Sequence, residues 1–155
     1  PEVYVDFGHT PEAVRSALTA FSRHRAKGRL VAVLGCGGDR DRQKRESMGR
    51  VAAETADLVV VTDDNPRSED PATIRARVLA GARSVPGAQE RVVDGGARRQ
   101  AIAYALGVAG PDDVVVVLGK GHEQGQEIAG TVYPFDDRKV VAEEWDKVGA
   151  AKGAD

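Results

Sequence analysis

Val114-Val115-Val116-Val117-Leu118 runs straight into Gly119-Lys120-Gly121-His122-Glu123. An unbroken β-branched run has no polar face, so it suits a strand covered on both sides, as in a parallel sheet between helical layers. Outward from it lie further short apolar runs: Val3 to Asp6, Leu30 to Leu34, Leu58 to Thr62 and Arg91 to Val93. Longer amphipathic segments separate them, and that alternation predicts an α/β fold. Helices are expected over Pro11 to Arg25, with Thr10 as N-cap, over Arg42 to Ala56, after the Asp70-Pro71 cap, and over Ala97 to Leu106. Beyond Gly125, the run Glu127 to Tyr133, broken by Gly130, reads as a hairpin, and Asp136-Asp137 caps a final helix.

At 155 residues the chain suits one domain. We expect it to occupy residues 1–149, with 150–155 as a frayed tail. Lys and Arg (22) nearly balance Asp and Glu (24), for a formal charge of -2. No overall field then draws the chain to nucleic acid or an anionic membrane, and small-molecule chemistry fits better. Cys36 is the only cysteine, so no intramolecular disulfide and no cysteine-rich metal cluster can form, which suits a reducing cytosol. No apolar run approaches the roughly 18 residues that span a bilayer, and Pro1-Glu2-Val3 carries no secretory pattern. A soluble, cytoplasmic, monomeric protein is expected. The chain lacks an initiator Met and starts almost in a strand, so it is expected to be a domain of a longer protein.

In parallel α/β sheets ligands bind beyond the carboxyl ends of strands. Four polar loops fall there. Asp6-Phe7-Gly8-His9-Thr10-Pro11-Glu12 offers a carboxylate and an imidazole suited to a ribose or a base, and equally suited to a helix cap beside a structural histidine. Gly35-Cys36-Gly37-Gly38-Asp39-Arg40 leads into Arg42, Lys44 and Arg45, so an anionic ligand or a solvated basic helix start is expected. Cys36 there is a candidate thiol or a small buried residue. Asp63-Asp64-Asn65-Pro66-Arg67-Ser68-Glu69 pins acids, an amide and a guanidinium around a proline, a set able to match a zwitterion. Gly119-Lys120-Gly121-His122-Glu123 adds backbone carbonyls and a carboxylate, while one His-Glu pair lacks the ligand count of a zinc site.

Together Val5-Asp6-Phe7-Gly8-His9-Thr10-Pro11, Gly35-Cys36-Gly37-Gly38-Asp39-Arg40-Asp41, Thr62-Asp63-Asp64-Asn65-Pro66-Arg67 and Gly119-Lys120-Gly121-His122-Glu123 resemble the C-terminal domain of the Mur ligases, in the UDP-N-acetylmuramoyl-tripeptide synthetase branch. The resemblance runs in order over nearly the whole chain. It implies a single Rossmann-like domain, a mostly parallel sheet flanked by helices, with the C-terminal hairpin. Its Asp-Asn-Pro-Arg element resembles the signature of members that add meso-diaminopimelate rather than lysine.

The implied activity is an ATP-dependent amide ligase of peptidoglycan synthesis, joining meso-diaminopimelate to UDP-N-acetylmuramoyl-L-alanyl-D-glutamate. The glutamate carboxylate is phosphorylated by ATP and the incoming amine attacks the acyl phosphate. Carried over residue by residue, Arg40, Asp64, Asn65, Arg67, Gly119 and Glu123 are the expected diaminopimelate-binding positions, and Asp6 and His9 face the nucleotide. No catalytic residue and no metal ligand is expected here. ATP and magnesium would be held mainly by a central domain, whose Gly-x-x-Gly-Lys-Thr phosphate loop this sequence does not contain. The isolated chain is therefore expected to be inactive. Phe7, Gly8 and Glu12 depart from the more usual Asp-Tyr-Ala-His-Thr-Pro-Asp, which removes a tyrosine hydroxyl from the nucleotide-facing segment. Two rivals stand beside this reading. A free-standing amino-acid-binding module would need no other domain, and a nucleotide-dependent oxidoreductase would need a dinucleotide fingerprint after the first strand, where Asp6-Phe7-Gly8-His9 stands instead.

Overall fold

A computed structural model describes residues 1–24 and 27–153. Five parallel strands form the main sheet: β1 (Glu2–Asp6), β2 (Leu30–Leu34), β3 (Leu58–Thr62), β4 (Val92–Gly96) and β5 (Val114–Leu118), in the order β1-β5-β2-β3-β4. The valine run is central, since Val115 pairs with Val3 on one side and Val31 on the other. Its alternate residues serve separate cores. Val114, Val116 and Leu118 join the core under α1 (Pro11–His24), α2 (Lys44–Thr55) and α3 (Pro71–Arg83). Val115 and Val117 face α4 (Arg98–Val108) and α5 (Asp137–Gly153). Every residue of β5 is buried, as expected of a strand with helices over both faces.

The expected strands Leu30 to Leu34, Leu58 to Thr62 and Val114 to Leu118 form with those limits. The fourth is displaced. Arg91 closes a 3-10 turn over Gln89–Arg91, its amide bonded to the Ala88 carbonyl and its guanidinium to the Ala56 carbonyl, and the strand then runs through Asp94-Gly95-Gly96. Gly95 makes that extension possible: a Cβ there would come within 2.7 Å of the side chains of Val60 and Ala101. Arg25, the expected end of the first helix, lies outside the described residues. The second helix starts at Lys44 rather than Arg42, because Asp41 Oδ1 accepts the Gln43 amide at 2.9 Å and holds a turn there. α4 begins and ends a little later than Ala97 to Leu106, and α5 continues past Gly149 to Gly153.

The hairpin is β6 (Gly125–Ile128) with β7 (Thr131–Pro134), and its tip places both Ala129 and Gly130 in the left-handed region, as a tight two-residue turn demands. Adjacent strands β5 and β2 send their chains to opposite faces, towards α5 and α2 respectively. Such a reversal opens a crevice at the carboxyl end of the sheet. No helix among the described residues is long and apolar enough to cross a membrane.

Candidate functional site

A pocket of about 290 Å³ occupies that crevice, lined from the ends of β1, β5, β2 and β3. All six expected substrate-binding residues line it: Arg40, Asp64, Asn65, Arg67, Gly119 and Glu123. Of the two expected nucleotide-facing residues, His9 lines the pocket and Asp6 does not. The Oδ1 of Asp6 instead accepts the Gly8 amide at 2.8 Å, shaping the turn into α1. The His9 ring sits edge-on to exposed Phe7, and Thr10 caps α1 through its hydroxyl.

The glycine-rich loop after β2 forms one wall of the pocket through Gly35, Cys36 and Gly37. Its glycines chiefly let two loops approach each other. A Cβ on Gly35 would strike the Thr62 carbonyl, and one on Gly38 the Pro66 carbonyl, while the Gly38 amide donates to the Asn65 carbonyl at 2.7 Å. The four basic residues that follow divide in two. Arg40 and Lys44 line the pocket, and Lys44 also reaches the His9 carbonyl at 3.2 Å. Arg42 and Arg45 face Glu69, which Arg45 grips through both guanidinium ends at 2.6 and 3.1 Å. Those bonds, with the Asp39 amide, hold the Glu69 carboxyl down to about 2, so this carboxylate is an internal strut between α2 and the loop before α3.

Within the pocket the charges are sorted. Arg67 and Arg40 both lie against Gly37: a Cβ on Gly37 would stand 2.8 Å from the Arg67 Nη1 and 3.8 Å from the Arg40 Cγ. Arg67 is itself in the left-handed region (φ 53), and its guanidinium donates to the Gly38 carbonyl at 2.8 Å. Glu127, which does not line the pocket, stands 3.8 Å from the Arg67 Nε, but the acids that do line it gather elsewhere, about Lys120. Its Nζ is 3.7 Å from both Asp64 and Glu123, and Gly119 (φ 115) brings the backbone so close that a Cβ would stand 2.6 Å from Asp64 Oδ2. A basic end and an acidic end joined by an amide can hold a zwitterion carrying an additional carboxylate.

Sequence reasoning missed two contributors. One is Lys120, fully buried, whose ammonium burial pulls below its ordinary value against the attraction of Asp64 and Glu123. A lysine between two glycines, directly after the most apolar strand, was the available signal. The other is the hairpin, which docks on the Asp64-Asn65-Arg67 segment. The Arg67 amide donates to the Glu127 carbonyl and its carbonyl accepts from the Ala129 amide, while Gln126 Nε2 donates to the Asp64 carbonyl at 2.6 Å. These bonds oppose the cost of a left-handed arginine. Cys36 lines the pocket but is 3% exposed, and burial pushes its thiol up to about 12, so it stands protonated rather than as a reactive thiolate. Among the described residues no group of three or more His, Cys, Asp or Glu is placed to hold a metal ion.

A Mur ligase model, described as the glutamate ligase domain, matches residues 1–121. Among curated relatives, the UDP-N-acetylmuramoyl-L-alanyl-D-glutamate--2,6-diaminopimelate ligase of Caulobacter vibrioides is 55% identical over 136 residues, covering 88% of this chain and 26% of its own length. The enzyme of that name from Streptomyces coelicolor is 57% identical over 141 residues, covering 90% and 28%. The chain thus spans about a quarter of the length of these relatives. A solved structure with the same enzyme name superposes with a TM-score of 0.82 at 39% identity, over 94% of this chain and 29% of that one. A Mycobacterium tuberculosis folylpolyglutamate synthase, complexed with ADP and AMPPCP, matches at 0.57 and 26% identity over 76% and 26%. On the matched fold, motifs and length, the chain belongs to the Mur ligase family and corresponds to its glutamate ligase domain.

Proposed function

We propose that this chain is the amino-acid-binding domain of a ligase that adds meso-diaminopimelate to UDP-N-acetylmuramoyl-L-alanyl-D-glutamate. The observation that carries the reading is the sorted pocket, with Arg40 and Arg67 together at Gly37 and two carboxylates about Lys120. Meso-diaminopimelate is nearly a doubled amino acid, bearing an ammonium and a carboxylate at each end. Lysine lacks the distal carboxylate. A guanidinium can bind that carboxylate in a two-point fashion, and the same positive charge disfavours a lysine side chain, so Arg67 both attracts one amino acid and repels the other.

The domain's part in the reaction is then orientation. It holds the amino acid with its attacking amine directed out of the pocket, towards a carboxyl activated elsewhere in the intact ligase, and raises the effective concentration of that amine. ATP and magnesium, when bound, supply the activation of that carboxyl; Asp6, Phe7 and His9 form the edge that would meet the nucleotide. The protonated Cys36 thiol takes no part as a nucleophile.

Chemical-shift mapping of this chain with meso-diaminopimelate and with L-lysine tests the reading. It expects diaminopimelate-specific shifts at Arg40, Asn65, Arg67 and Glu123. An equal response to both amino acids, or none, would remove the pocket from amino-acid selection.

A further inference from the structure

We infer that Lys120 is a positioning residue that locks the Asn65 side-chain amide in one orientation, turning its two N–H groups into a fixed carboxylate-binding donor. The inference rests on the pocket binding an amino acid, as proposed above, but its first test does not. Asn65 Oδ1 receives the Lys120 Nζ at 2.9 Å and the Glu127 amide at 3.0 Å. Both groups can only donate, so the atom facing them must be the amide oxygen and the opposite face must be the nitrogen. Among the described residues Asn65 Nδ2 has no hydrogen-bond partner, and Asn65 lines the pocket.

Lys120 is well suited to this task. Its ammonium is fully buried and also donates to the Gly125 carbonyl at 2.8 Å, so it joins the β3 loop to the hairpin at the point where the amide turns. Its charge stands 3.7 Å from both Asp64 and Glu123 and offsets the repulsion between those acids and an incoming carboxylate. A residue that only filled space would orient nothing. Lys120 instead fixes which of two nearly isosteric amide faces meets the ligand.

Asn65 is the sole asparagine of the sequence, so selective labelling isolates its side-chain signals. In Lys120→Met the Asn65 13Cγ and 15Nδ2 resonances should move in the ligand-free chain, with the remaining backbone spectrum retained. Asn65→Ala tests the same contact from the other side: with the acceptor gone, the Lys120 13Cε and 15Nζ signals should move. Resonances that stay in place in either variant would overturn the inference. If Lys120→Met does not fold, Asn65→Ala decides alone. The donor role has its own test in Asn65→Asp, which keeps an oxygen towards Lys120 but presents oxygen to the ligand. Affinity for meso-diaminopimelate should fall more than tenfold, and undiminished affinity would overturn the donor role. Should the unmodified chain fail to bind meso-diaminopimelate, the amino-acid reading falls, while the resonance shifts still decide whether Lys120 positions Asn65.

Discussion

At the scale of single residues, Gly37 and Arg67 show how a glycine makes room for the side chain beside it. The room that Gly37 leaves is filled by the Arg67 guanidinium, and a Cβ there would stand 2.8 Å from Nη1. The neighbour is the far end of a flexible side chain, and Gly37 is not in the left-handed region, so Gly37→Ala should move Arg67 rather than unfold the chain. We expect stability to change by less than about 0.5 kcal/mol in urea denaturation. Affinity for meso-diaminopimelate should fall about tenfold, ~1.4 kcal/mol, in a calorimetric titration. Unchanged affinity would separate Arg67 placement from Gly37. Arg67 was legible in the sequence because turn chemistry explains Asp, Asn and Pro but not an arginine among them. Lys120 was legible only as a lysine between two glycines, because its role depends on a hydrogen bond to Asn65, 55 residues away. Asp6 was legible as a loop carboxylate, but nothing in the sequence said that its oxygen would be spent on the Gly8 amide.

At the scale of elements, the site depends on segments that hold its loops from behind. Arg98, at the start of α4, reaches the Asp63 and Leu118 carbonyls at 3.1 and 3.0 Å and is paired through two bonds, 2.8 and 2.6 Å, with Asp137 at the start of α5. Both side chains are fully buried. One ion pair therefore fastens the last helix to the ends of β3 and β5, where the pocket opens. Truncating one partner strands a buried charge, so Asp137→Ala should cost about 3–5 kcal/mol in denaturant unfolding; a loss below ~1 kcal/mol would show that the pair does not carry this load. The central strands were legible because a β-branched run with both faces covered leaves few alternatives. The fourth strand was not, since Asp94-Gly95-Gly96 has loop composition and becomes strand only because Gly95 fits against Val60 and Ala101. The hairpin was visible as a hairpin, but its docking on Arg67 is a tertiary contact with no local sequence signal.

At the scale of the whole molecule, about a quarter of the relatives' length is present; its sequence carries no Gly-x-x-Gly-Lys-Thr phosphate loop, and among the described residues no group of three or more His, Cys, Asp or Glu is placed to hold a metal ion. Assayed alone with ATP, magnesium and both substrates, the 155-residue chain should form no amide bond. Detectable turnover would mean that catalytic groups lie within it. The proposed function rests on Arg67 recognising the distal carboxylate that distinguishes meso-diaminopimelate from lysine. Steady-state kinetics of Arg67→Ala in the intact ligase, with each amino acid in turn, tests it most directly. For meso-diaminopimelate kcat/KM should fall by the equivalent of about 2–5 kcal/mol, the scale for removing one partner of a buried charge pair, while that for lysine should not fall. Unchanged kinetics with meso-diaminopimelate, or an equal loss with both amino acids, would contradict it.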